Sequence, residues 1–509
     1  MATPPIEEKG ASGKSEAKTF DLAELDELLL CKDGKHDLKL KDPRRRLIHQ
    51  GSLNYKSRRK EYSVFLLDHV LIVTKPKVID GRERLRIIDH PIPIQLLRVS
   101  SEQTRSTIFG CVPLPLGKIR HQLRFSSLGK RFNNGKALAL LTPTAEASKT
   151  WVETIDAQQN TNQQNTEPNV LTFGQDMLME NGDIRVSCAT LYDNGQTIAY
   201  GTDDGVYLQP LNGRPRKAVD LTGVRQIAVL EDISLLVVLS DRSVFTFPLD
   251  ALDQFDRMKR MNRVTNGQTS FFKAGTCMDR TMVCLAKTTS TSSTVKILER
   301  VESMPEPNPN RKVQTLLPDM PNKLKAFKEF YSATELYSIQ FLKTKLCAAG
   351  ATGFEIIDLE TLDAQVLLDP SDNALGFVRQ HKNPGPLGVY RIGNEFLVCY
   401  KEFAFYVNKN GWKSDKDMVI YWEGTPTACA LQYPYIVAFS SKFVEIRHVD
   451  DGSLLQVIHE ADVRCLYAEC TPLWTNAEDP ALQSSQQSGE KSILVSFANQ
   501  VKFLTPSSQ

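Results

Sequence analysis

The sequence predicts a mainly β protein in two parts: a small antiparallel β-barrel capped by a C-terminal helix, then a seven-bladed β-propeller closed by its own N-terminal strand. Three observations carry this reading. From Arg46 to Ser127 the apolar residues recur with period two or in short blocks, as in LIHQGSLNYK, EYSVFLLD, HVLIVTKPKV, RLRIIDHP and HQLRFSS, which is the pattern of strands joined by tight polar turns. The segment TPTAEASKTWVETIDAQQ then switches to helical spacing, with Trp151, Val152 and Ile155 on one face. Finally, the strand, turn, strand unit QTIAYGTDDGVYLQ at residues 196–209 returns at 234–249, 282–298, 345–359, 395–408, 435–449 and 492–504, seven times in all.

In chain order, residues 1–18 have the mixed polar composition of a disordered tail. FDLAELDELLL follows as a helix: Asp21 caps it, Glu24 completes a capping box, and Leu22, Leu25, Leu28 and Leu29 share a face. Residues 19–157 make the barrel unit, in which Thr142 is expected to cap the closing helix and Pro143 to occupy its first turn. The Gln/Asn-rich run at 158–169 reads as a linker.

Residues 170–509 form the propeller. The hairpins recur about every 40 to 60 residues, the period of propeller blades with variable loops. A lone hairpin cannot bury its apolar faces, so each requires flanking strands and neighbouring blades. VSCATLY and VRQIAVLE supply inner strands for the first two blades. The last hairpin ends near the C-terminus, and residues near Leu171 to Met177 are expected to provide its missing outer strand.

The composition excludes several classes of function. A net charge of +2 over 509 residues lacks the basic bias that neutralises nucleic-acid phosphates, so no nucleic-acid partner is expected. The N-terminus has no apolar signal core, and LLVVL, among the longest apolar runs, is far short of the ~20 residues that span a bilayer; an intracellular chain is expected. The ten cysteines show no zinc-ligand spacing, and Cys284, Cys347 and Cys399 lie in apolar strands, as reduced packing residues do. No catalytic motif is present and the eight histidines are scattered, so neither a cofactor nor a metal is expected.

Asp203 and Asp204 read first as turn residues beside Gly205, and Asp241 and Arg242 occupy the same place in the second blade. Equivalent turns of a propeller emerge on one face of the disc. Asp203, Asp204, Asp241, Arg242, Lys401 and Glu402 are therefore candidate protein-binding residues. Trp412 and Trp422 are read as packing residues in preference to exposed anchors.

The stretches YGTDDGVYLQPL, VRQIAVLEDISLLVVLSDRSVFTFPLD, FFKAGTCMDRTMVCLAK and VIYWEGTPTACALQYPYIVAFSSKFVEIRH resemble the citron homology domain, most of all that of fungal Rho guanine nucleotide exchange factors, from about residue 180 to the end. The preceding barrel, with Trp151 in its closing helix, is similar to the pleckstrin homology domain that these factors carry just before it. In that family a helical Dbl homology domain of roughly 200 residues, placed upstream, performs exchange. The resemblance therefore implies the C-terminal part of an exchange factor or a shortened paralogue, with no exchange activity of its own. It also implies a Rho-type small GTPase as partner and a place in the cytoplasm or at the cell cortex.

Pleckstrin homology domains that bind phosphoinositides grip phosphate with basic residues of the first two strands and their loop. Here the loop carries Lys56, Arg58, Arg59 and Lys60, within a run from Lys32 to Lys60 of eleven basic residues against three acids. Glu61, Ser63 and Phe65 stand in the second strand where that pattern has a basic residue. That departure speaks against a specific phosphate grip, so it is the basic cluster alone that makes anionic membrane lipids the second expected partner, through attraction of ~1 kcal/mol per basic residue near the surface.

Overall fold

A computed structural model describes residues 20–507 except 31–37, 56–59, 106, 109–111, 114–118, 166–169, 175–178, 181–184, 194, 255–256, 301–323, 382, 417, 469–492 and 498–499. The chain divides into two compact units, Met1–Glu167 and Pro168–Gln509.

The first unit opens with α1 (Leu22–Leu28). The Asp21 carboxylate accepts the Glu24 amide at 2.8 Å and the Glu24 carboxylate accepts the Asp21 amide at 3.4 Å, the expected capping box. Its leucine face, centred on the buried Leu25, covers Phe65, Leu67, Ile72, Leu85 and Ile87 on the outer side of the sheet. Seven principal strands follow: β1 (Leu47–Asn54), β2 (Glu61–Leu67), β3 (Val70–Ile79), β4 (Arg82–Ile87), β5 (Leu97–Arg105), β6 (Ile119–Ser127) and β7 (Leu138–Thr142). They roll into one sheet in the order β4-β3-β2-β1-β7-β6-β5, with Leu29–Leu30 added in parallel beyond β4.

The closing helix α2 (Ala145–Asn165) sends Trp151 and Ile155 into the interior among Leu53, Leu123, Phe125 and Leu140. A Cβ on Gly51 would come to 3.4 Å from the Trp151 ring; glycine is what lets β1 pass beneath the indole.

Two expectations need correction here. Thr142 is the last residue of β7, paired with His121, and its hydroxyl donates to the Thr144 carbonyl at 3.0 Å. The cap is instead Thr144, whose hydroxyl accepts the Ala147 amide at 3.1 Å, so Pro143 precedes the cap and does not occupy the first turn. Nor is the Gln/Asn run a linker over residues 158–165, because α2 continues to Asn165. Gln159 donates to the carbonyls of Ile94 and Leu97, each at 2.8 Å, and Gln158 and Asn162 both donate to the Asp68 carbonyl. Amide side chains that satisfy loop carbonyls hold a helix that composition alone assigns to a coil.

The second unit is a ring of seven four-stranded antiparallel blades. Blades 1 to 6 cover residues 186–219, 224–263, 271–332, 336–366, 386–421 and 428–458, each sheet running in chain order from inner to outer strand. Neighbouring blades bury continuous apolar layers between their faces, such as Val237, Val283 and Leu298 between blades 2 and 3. In several inner strands the register slips by one residue near the start, between Val186 and Cys188, Val224 and Gln226, Leu336 and Ser338, and Pro386 and Gly388. Such bulges bend the strand as it enters the crowded axis.

Blade 7 has three strands from the C-terminal end, Arg464–Ala468, Ile493–Phe497 and Gln500–Pro506. Its outer strand comes from the start of the unit. Leu171–Phe173 pairs antiparallel with the last strand, Leu171 opposite Pro506 and Phe173 opposite Leu504, and Met179–Glu180 pairs with it further along. The buried side chain of Gln456, in blade 6, completes the closure: its amide nitrogen donates to the Leu171 carbonyl at 2.8 Å and its oxygen accepts the Leu171 amide at 3.0 Å.

Two measurements check this account. Gln456→Leu leaves the buried peptide groups of Leu171 unpaired and should lower the stability of the propeller transition by about 2 kcal/mol, read by denaturant unfolding; an unchanged midpoint would contradict the closure role. In the first unit, Asp68 is partly buried, which opposes ionisation, but His69, the Arg46 amide and Arg45 outweigh burial and hold its carboxyl at about 2 against an ordinary 3.8. A carboxyl depressed in the folded state stabilises above the unfolded value and loses that effect as pH falls through the folded one. Wild-type stability should therefore decline between pH 3.8 and about 2 more steeply than that of Asp68→Asn, followed by thermal melting across that range.

Candidate binding surfaces

Strands alternate in direction within each blade, so the turns joining second to third strands and the connections between blades share one face of the ring. The six candidate turn residues all lie there and are exposed, and the structure shows what each is tied to. Thr202, the last residue before the first turn, donates to Asp204 at 2.7 Å, the Tyr207 hydroxyl donates to the same carboxylate at 2.9 Å, and the Lys217 ammonium lies 3.4 Å away. Slight burial opposes ionisation of Asp204, yet the two hydroxyls and Lys217 lower its pKa. The Asp203 carbonyl accepts the Gly223 amide at 2.9 Å while its side chain points to solvent.

The second turn has positive φ at both Asp241 (44°) and Arg242 (61°), the geometry of a type I′ hairpin. Asp241 accepts the Thr222 hydroxyl at 3.3 Å and packs on Gly223, where an added Cβ would sit 2.7 Å from its oxygen. With φ at +61°, Gly223 is required on both counts. The Arg242 carbonyl accepts the Thr269 amide at 2.9 Å. In blade 5 the Lys401 amide donates to Gly385 at 2.9 Å, and Glu402 meets His381 at 3.2 Å. These residues join each hairpin to the connection beside it. Asp204 is largely consumed in doing so, whereas Asp203, Arg242 and Lys401 keep their charged ends free among the described residues.

The sixth blade uses a buried ion pair for the same purpose. Glu445, fully buried, accepts the amides of Glu423 and Gly424 at 3.1 and 2.7 Å and the Arg447 guanidinium at 3.0 Å. Trp422 beside it is fully buried and donates to the Tyr400 carbonyl at 2.9 Å, as a packing residue does. Trp412 corrects the packing expectation: it is 45% exposed, held at the surface by its indole nitrogen, which donates to Asp369 at 3.0 Å. Among the described residues no group of three or more potential ligands could hold a metal ion. Burial raises the thiol pKa of Cys284 and pushes that of Cys347 up to about 12, as expected of packing cysteines.

In the first unit Lys60 is exposed beyond the β1 to β2 loop, while Lys56, Arg58 and Arg59 lie outside the described residues. Phe65 is buried beneath α1, so no basic residue can stand there. A basic surface that the sequence reading missed lies on the next hairpin. In β3 and β4, Lys75 is opposite Arg86, Lys77 opposite Arg84 and Ile79 opposite Arg82. Directly opposed side chains share a face, so five cations line one side of the hairpin and Glu83 lies on the other. Arg84 donates to the Glu27 carbonyl. Among the described residues no carboxylate pairs with Lys75, Lys77, Arg82 or Arg86. The signal was present as cations at every second position around the Asp80–Gly81 turn.

Comparison with known proteins now places the chain. The pleckstrin homology family matches residues 47–111 and the CNH domain family residues 194–469, more than half of the chain. Rho1 guanine nucleotide exchange factor 1 of Schizosaccharomyces pombe is 35% identical over 486 residues, which covers 89% of this chain and 36% of that protein. RHO1 GDP-GTP exchange protein 2 of Saccharomyces cerevisiae is 26% identical over 500 residues, covering 90% and 36%. The chain thus spans little more than a third of the length of these relatives. The solved AfRom2 CNH domain superposes with a TM-score of 0.53 at 33% identity, covering 66% of this chain and 99% of that one. With seven blades, closure by an N-terminal strand and a preceding pleckstrin homology domain all in place, the chain belongs to the CNH domain family.

Proposed function

We propose that this chain is a non-enzymatic regulatory and scaffolding module of Rho GTPase signalling, which binds a Rho-type GTPase or one of its regulators at the cell cortex. The observation that carries the reading is the similarity to Rho1 exchange factors, which runs through both units over 89% of the chain. The propeller adds a rigid face on which Asp203, Arg242 and Lys401 present free charge, suited to steering and registering a protein partner.

The test uses the full chain and a Rho-type GTPase loaded with GDP or with a non-hydrolysable GTP analogue. Capture is expected in at least one nucleotide state, weakened about tenfold when Asp203→Lys, Arg242→Glu and Lys401→Glu are combined. Absence of binding in both states would sink the reading, and acceleration of nucleotide release by this chain alone would overturn its non-enzymatic part.

A second reading, a membrane-tethering adaptor, draws on the cationic face of the β3–β4 hairpin. At ~1 kcal/mol per basic residue near an anionic surface, three reversals suffice to abolish weak attachment. Flotation with phosphatidylserine vesicles should be lost in the Lys75→Glu, Lys77→Glu, Arg82→Glu variant and fall steeply with salt in the wild type. Equal flotation of both would remove the hairpin from any membrane role.

A further inference from the structure

All seven inner strands of the propeller run in the same direction, so their first residues gather at one mouth of the central channel and their last at the other. At the first mouth Arg464 and Arg185 come together, and Arg225 lies one residue from a carbonyl bonded to the same short piece of backbone. The Arg464 guanidinium, from blade 7, donates to the Val186 carbonyl at 3.0 Å, one residue beyond Arg185 of blade 1. Ser187, next along, donates to the Val224 carbonyl at 2.5 Å, one residue before Arg225 of blade 2. Residues 185–187 are thus tied to blade 7 through Arg464 and to blade 2 through Val224, next to the exposed Arg225.

Arg185 and Arg225 are exposed and have no ion-pair partner among the described residues. Burial and the neighbouring Arg185 both lower the pKa of Arg464, and only Asp462 opposes them. The Ser496 hydroxyl, buried and without a hydrogen-bond partner, stands opposite Arg464 in the register. Further along the inner strands of blades 7, 1, 2 and 3 lies a cavity of about 760 Å³, with Lys273 as the cation in its lining. The far end of that cavity is acidic, with Glu231, Asp232 and Asp279. Along the inner strands the charged residues thus change from arginines near the strand starts to acids at the ends of those of blades 2 and 3.

We infer that this mouth is a docking site for an acidic peptide segment of a protein partner, with Arg185 and Arg225 as its principal contacts. The inference rests on the proposed partner-binding role and assigns that role a place on the propeller. Arginine suits it because its planar fork pairs bidentately with carboxylates. An extended polyanion suits it less. The turns that surround the mouth on blades 1 and 2 carry the exposed acids Asp203, Asp204 and Asp241, which repel a flat anionic bilayer or a nucleic-acid backbone but leave a narrow segment free to approach along the axis.

The experiment uses the full chain and a fluorescent hexaglutamate peptide as probe, followed by anisotropy. Binding that weakens with salt is expected for the wild type, with at least a tenfold loss in Arg185→Glu/Arg225→Glu, an intermediate loss in Arg185→Gln/Arg225→Gln, and no change in Lys409→Glu, a reversal on an exposed loop elsewhere. Matching melting curves exclude misfolding as the cause. No peptide binding by the wild type, equal binding by the charge-reversed variant, or displacement of the peptide by phosphatidylserine vesicles through the same arginines would each overturn the assignment. GTPase capture is measured on the same proteins. Wild-type capture that survives Arg185→Glu/Arg225→Glu removes this site and leaves the proposed function standing, whereas peptide binding lost in the variant without any GTPase capture does the reverse.

Discussion

The propeller depends on one pairing, that of Leu171–Phe173 with the strand that ends the chain. Each blade taken alone exposes two apolar faces, and a row of blades would leave the first and last open to solvent. Joining the two ends removes both exposed faces at once. The pairing is reinforced from outside blade 7: Gln456, 285 residues away in sequence from Leu171, satisfies both of its backbone groups, and Phe173 stacks on Phe497 at 4.6 Å. Leu171 itself lies in the apolar layer shared by blades 6 and 7, with Val437, Val463 and Val495. Closure is therefore both a hydrogen-bonded and a hydrophobic event, and it makes the ring a single body.

A closed ring constrains what its surface can offer. Turns on the face that carries the candidate residues must fasten each hairpin to the connection beside it, and the side chains best suited to turns are spent in doing so. Asp204 illustrates the cost, for it holds two hydroxyls and an ammonium and has little capacity left for a ligand. Freedom to bind passes to residues whose backbone does the fastening while the side chain stays clear, as at Asp203 and Arg242. It passes also to the inner strands, where the crowded axis brings residues of successive blades together. In the pleckstrin homology unit the same logic holds on the β3–β4 hairpin, whose Asp80–Gly81 turn makes the fold while its cations face outward.

Much of this was legible in the sequence because it is local. The α1 capping box, the seven hairpins and the Trp151 face of α2 follow from spacing, and each reappears in the structure where periodicity places it. Local rules failed where a distant partner decided the outcome. Thr142 looks like a cap until its register with His121 makes it a strand residue. The Gln/Asn run looks like coil until the carbonyls of Asp68, Ile94 and Leu97 give its amides something to hold.

The sequence by itself determined the class of the fold, the number of blades and the origin of the closing strand, because alternating apolar residues and turn dipeptides act over a few positions and leave the chain few choices. Only the tertiary structure decided where charge gathers. Arg464 is 278 residues from the carbonyl it meets beside Arg185, and no spacing rule links them. They become neighbours because closing the ring sets the last blade against the first, a consequence of burying both open faces at once.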